Sequence, residues 1–133
     1  MKLFPYLIFN GDCENAMNFY QSVLGGNVNL EKRYSDAPMD IPESHKNKIM
    51  HSELHFGGNT LAACDAFPGM EVKITAGIEL CVNYTNPREA ETAFHKLAEG
   101  GDVNMRFEKQ FWGSYLGQLT DKFGKIWMIA SEA

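Results

Sequence analysis

The chain repeats itself. An apolar run, a helix-capping residue, an amphipathic helix, a Gly-Gly pair and a second apolar run occur in that order twice. Residues 3–10 correspond to 78–84, and Gly25-Gly26-Asn27-Val28 corresponds to Gly100-Gly101-Asp102-Val103. The caps Asp12 and Asn86 are 74 positions apart, and the Gly-Gly pairs are 75 apart. So small a drift over that span is what a duplicated module predicts. The 133 residues are then two half-length modules, each too small to close a core alone.

Helix signals mark the same place in each half. The first helix is expected over residues 13–24, capped by Asp12, with Ala16, Phe19, Tyr20, Val23 and Leu24 as its apolar stripe. The second is expected over 87–98, capped by Asn86, with Pro87 at the first helical position and Ala90, Ala93, Phe94 and Leu97 as the stripe. Gly25-Gly26 and Gly100-Gly101 end them. Three strand candidates follow each helix: 27–34, 48–56 and 59–65 in the first half, and 102–108, 115–120 and 125–130 in the second. Residues 35–47, with Pro38 and Pro42, read as a mobile surface loop. The sum is βαβββ twice, an α+β architecture in one domain, with modules of about 1–66 and 74–133.

Composition removes several function classes. With 44% hydrophobic and 12% aromatic residues, the chain has enough apolar material for a packed core, which excludes intrinsic disorder. A net charge of −5 with no basic run argues against nucleic acid as a partner. Cys13, Cys64 and Cys81 are odd in number and far apart, so a reduced, cytoplasmic chain is expected. Cys64 and Cys81 lie in apolar strands and read as small buried hydrophobes rather than nucleophiles. The apolar run at 3–9 holds Pro5 and has no small-residue cleavage site, so it reads as a strand rather than a signal peptide. No segment is apolar enough for a membrane span. Nucleotide signatures are missing as well: there is neither a G-x-G-x-x-G turn nor a P-loop.

Residues 12–25 read D-x-E-x-A-x-x-F-Y-x-x-x-L-G. This resembles the first-helix signature of the vicinal oxygen chelate superfamily, which includes glyoxalase I, bleomycin-resistance proteins and extradiol dioxygenases. Phe9-Asn10-Gly11, Met50-His51-Ser52-Glu53-Leu54, Phe111-Trp112-Gly113 and Asp121-Lys122-Phe123-Gly124-Lys125-Ile126-Trp127 are similar to its PhnB-like branch, often labelled as related to a demethylubiquinone methyltransferase. The resemblance covers almost the whole chain. It implies sheets curled around a cavity and, usually, a homodimer. In the metalloenzymes of the superfamily a divalent metal sits in that cavity as a Lewis acid. The positions matching their ligands here are Pro5, Gly77 and Met128, with Ala62 and Ala63 at the end of the first module. None of these side chains offers a hard donor, so the usual metal site is expected to be absent and no cofactor is expected. The methyltransferase label gains no support from a glycine-rich strand-to-helix turn.

The polar residues left over define the candidate site. Alternation along 48–56 puts His51, Glu53 and His55 on one strand face and Met50, Leu54 and Phe56 on the other. A carboxylate two residues from an imidazole suits general acid or base work, ligand contact or part of a metal site, and equally a solvated strand face. Phe111 and Trp112 beside Gly113, leading into Tyr115, can wall a planar ligand or pack in a core or dimer interface. Glu79 shares a face with Gly77 and Cys81 and either enters the cavity or meets solvent. The expected ligand contacts are therefore His51, Glu53, Glu79, Phe111, Trp112 and Tyr115, with His51 and Glu53 as catalytic candidates.

Three functions are compatible with this pattern. The first is a protein binding a small organic ligand in a cavity between modules. The second is a metal-dependent lyase, isomerase or dioxygenase with relocated ligands that include His51 and Glu53. The third is a resistance protein that sequesters a drug, for which the acidic charge favours a cation.

Overall fold

The computed structural model describes residues 1–73 and 76–133. The chain forms two compact units, Met1–Lys73 and Ile74–Ala133. The expected start of the second module, at 74, lies outside the described residues.

The first unit contains β1 (Tyr6–Phe9), α1 (Cys13–Leu24), β2 (Asn27–Arg33), β3 (Ile49–Phe56) and β4 (Asn59–Asp65). Its sheet has the order β1-β4-β3-β2, with β1 parallel to β4 and the other pairs antiparallel. The second unit contains β5 (Leu80–Tyr84), α2 (Pro87–Ala98), β6 (Asp102–Lys109), β7 (Tyr115–Thr120) and β8 (Ile126–Ser131). Its order is β5-β8-β7-β6, with the same pattern of directions. Both are open mixed sheets, and the expected pair of βαβββ modules is what the chain builds. No helix among the described residues is long and apolar enough to cross a membrane.

Each helix covers one sheet face through buried residues at the same spacing. These are Cys13, Ala16, Met17 and Tyr20 on α1, and Ala90, Ala93, Phe94 and Leu97 on α2. The α2 stripe is as expected. The α1 stripe is rotated: Phe19, Val23 and Leu24 are only half-buried, and Cys13 and Met17 take their place. Burial pushes the Cys13 thiol up to about 12.

The caps also differ. Asn86 Oδ1 accepts a hydrogen bond from the Arg88 amide at 2.8 Å, whereas the Asp12 side chain makes no capping bond. The α1 start is held instead by buried Asp65, whose Oδ1 accepts from the amides of Gly11 and Cys13. The first strand starts at Tyr6 rather than at residue 3. The loop at residues 35–47 is bounded and interrupted by two short 3-10 turns, Tyr34–Asp36 and Glu43–His45.

Candidate functional site

Strand β3 divides its side chains as the alternation requires. Ser52 and Leu54 are buried on the α1 side, and the Ser52 hydroxyl lies 3.5 Å from Cys13 Sγ. His51, Glu53 and His55 project from the face that α1 leaves uncovered, with side-chain exposures of 26%, 23% and 54%. Neighbouring strands complete the group. Tyr6 comes from β1, where it pairs with Ala62, which in turn pairs with Glu53. Glu31 comes from β2, where the pairing with β3 shifts register between Asn29 and Lys32 and brings its carboxylate towards His51.

His51 is engaged at both ring nitrogens. Nδ1 lies 2.8 Å from the Tyr6 hydroxyl, Nε2 lies 2.8 Å from Glu53 Oε2, and Glu31 Oε2 stands 3.7 Å from Nε2. The other Glu53 oxygen lies 3.0 Å from His55 Nε2. The hydrogen bond from His51, with the charges of both imidazoles, holds the Glu53 carboxyl below its ordinary value against the opposing effect of desolvation. Desolvation, reinforced by Cys64, pushes the Tyr6 hydroxyl well above its ordinary value. The result is a connected chain of titratable groups, Tyr6–His51–Glu53–His55, that orients the imidazole and can move a proton along hydrogen bonds. One donor atom each from Glu31, His51 and Glu53 lies within 4.8 Å of the others.

The remaining candidate residues belong to the second unit, on different parts of it. Glu79 Oε1 accepts a hydrogen bond from Gln118 at 2.7 Å. Gln118 pairs with Met128, opposite in face to buried Leu119 and Trp127. Tyr115 stacks on Phe107, which packs against Phe94 of α2, so it belongs to the helix-covered side. Phe111 and Trp112 form the turn between β6 and β7, edge to face at 4.8 Å. They are 97% and 56% exposed, so core packing within the unit is not their role. Cys81 is exposed rather than buried, on the side of β5 that faces away from α2 with Met128, while Cys64 is half-buried.

Tyr6 and Glu31 were not among the sequence candidates. The parity of β1 makes Tyr6 a face residue, but its meeting with His51 needs β4 to lie between their strands. Glu31 depends on an irregular register that no motif announces. The positions that the family resemblance offers for a metal do not fit one: Pro5, Ala62, Ala63 and Gly77 have no side-chain donor, and Met128 offers only a thioether.

A family model described as 3-demethylubiquinone-9 3-methyltransferase matches residues 1–130. Protein YjdN of Escherichia coli K12 is 30% identical over 139 residues, covering 97% of this chain and 94% of that one. Protein PA1353 from Pseudomonas aeruginosa has a crystal structure with a TM-score of 0.90 at 38% identity, covering 99% of this chain and 98% of that one. The PhnB protein from Bacillus cereus gives 0.79 at 26% identity, with 98% and 99% covered. At the level of fold alone, a glyoxalase/bleomycin resistance protein/dioxygenase family enzyme from Burkholderia phytofirmans superposes with a TM-score of 0.65 at 16% identity, covering 96% and 97%.

Proposed function

Because the chain belongs to the family described as 3-demethylubiquinone-9 3-methyltransferase, in its PhnB-like branch, we propose that it binds a small organic ligand on the helix-free face of its first sheet. The observation that carries this reading is the chain Tyr6–His51–Glu53–His55, a fixed set of donors and acceptors on a half-exposed sheet face. Fixing such groups in advance lowers the ordering cost of binding. Tyr6 and Ile8, each more than 40% exposed, supply apolar contact beside them. The net charge of −5 favours a cationic or neutral ligand over a polyanion.

The family description names a methyltransferase, but neither strand-to-helix turn here, Asn10-Gly11-Asp12 nor Thr85-Asn86, is a glycine-rich nucleotide loop. The proposal is therefore one of binding, with His51 and Glu53 as the groups that would exchange a proton with a bound ligand. We also propose a cytoplasmic homodimer.

A thermal-shift screen of small aromatic and cationic compounds, run in EDTA, tests the reading. A ligand at about 100 times its Kd stabilises the folded state by about 2.7 kcal/mol, a shift of several degrees. The shift should vanish in His51→Ala and Glu53→Gln while the unliganded melting temperature stays close to wild type. A hit whose shift survives both substitutions would place the ligand elsewhere. A response confined to cationic drugs would favour sequestration as the role.

A further inference from the structure

We propose that Glu31, His51 and Glu53 form a divalent-cation site. It is built by β2 and β3, from residues other than those at which the family resemblance would put a metal, although Glu53 pairs with one of those positions, Ala62. It lies on the face assigned above to an organic ligand, but it requires no such ligand.

The first argument is geometric. Two donors bound to one ion by bonds of about 2.1 Å stand roughly 3 to 3.5 Å apart. Here Nε2 of His51 is 2.8 Å from Glu53 Oε2 and 3.7 Å from Glu31 Oε2, and the three donors fall within 4.8 Å. Small side-chain rotations bring all three onto one ion.

The second argument is independent of that spacing and concerns the atoms that face away. Each of the three residues turns one donor inwards and has its other polar atom held by an outer partner. Glu53 Oε1 is held by His55 Nε2 at 3.0 Å, and Glu31 Oε1 by the Asn29 amide at 3.5 Å. His51 Nδ1 is held by the Tyr6 hydroxyl at 2.8 Å. Metal ligands are ordinarily oriented by such an outer layer.

Without a metal, a proton holds His51 Nε2 to Glu53 Oε2 at 2.8 Å. A divalent cation takes that proton's place, with Nδ1–H donating to Tyr6 so that Nε2 and both carboxylates serve as ligands. One imidazole and two carboxylates suit Zn²⁺, Mn²⁺ or Co²⁺ better than Ca²⁺ or Mg²⁺, which favour all-oxygen sites. Three protein ligands leave at least one coordination position open on an accessible face.

Calorimetric titration of the EDTA-stripped, buffer-exchanged full chain with ZnCl2 and with MnCl2 tests the site, with no organic ligand present. One ion per chain is expected, with affinity at least ten-fold weaker in Glu31→Gln and in His51→Ala. Tyr6→Phe, which touches no ion, should weaken binding about ten-fold or more by freeing the imidazole. Circular dichroism melts of the nearly isosteric Glu31→Gln and Tyr6→Phe separate loss of the site from loss of the fold. Absence of stoichiometric binding by either ion overturns the proposal, as does undiminished binding in Glu31→Gln and His51→Ala. An organic ligand still bound in EDTA by a chain that takes up no metal would sink this proposal alone. Metal uptake by a chain that binds no compound in the thermal-shift screen would leave it standing and remove the other.

Discussion

Asp65 carries a carboxylate into the first unit at 1% exposure and replaces its water with backbone amides. Oδ1 accepts from Gly11 and Cys13, at 3.0 and 2.9 Å, and Oδ2 accepts from Ile49 at 2.8 Å. One side chain thus ties the end of β4 to the start of α1 and the start of β3. Asn in its place keeps one acceptor but turns an NH2 group towards an amide donor. Asp65→Asn should therefore cost about 2 to 4 kcal/mol, read as a lower urea midpoint. A change below about 1 kcal/mol would mean that the three amides find other partners. This role was not legible in the sequence. The residue before the helix, Asp12, had the right chemistry to cap it, but its side chain makes no such bond. The acceptor that does the work lies 52 residues from Cys13 and meets it only after β4 pairs with β1. His51 and Glu53 could be read from strand parity alone, whereas Tyr6 and Glu31 required the strand order and a register shift.

Elements were more legible because their causes are local. Both helices run over the expected residues, since cap position, apolar spacing and the following Gly-Gly pair all act within a few turns. What the pairs do beyond ending helices is a matter of contact. A Cβ on Gly26 would stand 2.0 Å from the His55 carbonyl oxygen, and one on Gly101 would stand 2.1 Å from that of Thr120. His55 ends near the close of β3 and Thr120 closes β7, strands that hold the same place in the two sheets. The second glycine of each pair is therefore where the chain leaving the helix crosses against the sheet. Gly101 has no left-handed φ, so its substitution measures this contact without backbone strain. Gly101→Ala should cost about 1 to 3 kcal/mol by overpacking against backbone. Gly26→Ala should cost more, because a φ of +81° adds strain for any side chain. Gly58, with open space around it, serves as the control for strain alone. Chemical denaturation gives all three values, and a neutral Gly101→Ala would show that the crossing can relax.

For the whole molecule, duplication gives each sheet two edge strands, and the sequence treats them unequally. The edge strand β2 ends in Glu31-Lys32-Arg33, and β6 carries Asp102, Arg106, Glu108 and Lys109. Charges of this kind discourage pairing with another chain. The opposite edges, β1 with the sequence YLIF and β5 with LCVNY, have no charged residue. Exposed Phe111 and Trp112 add a further apolar tip. Uncharged edges and exposed aromatics are the features that a second copy would cover, which supports the proposed homodimer. Light scattering at micromolar concentration should then give about twice the 15.0 kDa chain mass, and a single-chain mass would refute the dimer. Phe111→Asp separates the two roles open to the aromatic tip. If the mass falls to one chain, the tip belongs to the interface, and its exposure in one chain reflects a missing partner. If the mass holds while the ligand-induced thermal shift is lost, Phe111 acts on the ligand, the other role expected for it from the sequence. Because core packing within the unit is already removed by its 97% exposure, a variant that changed neither would leave this aromatic outside both functions.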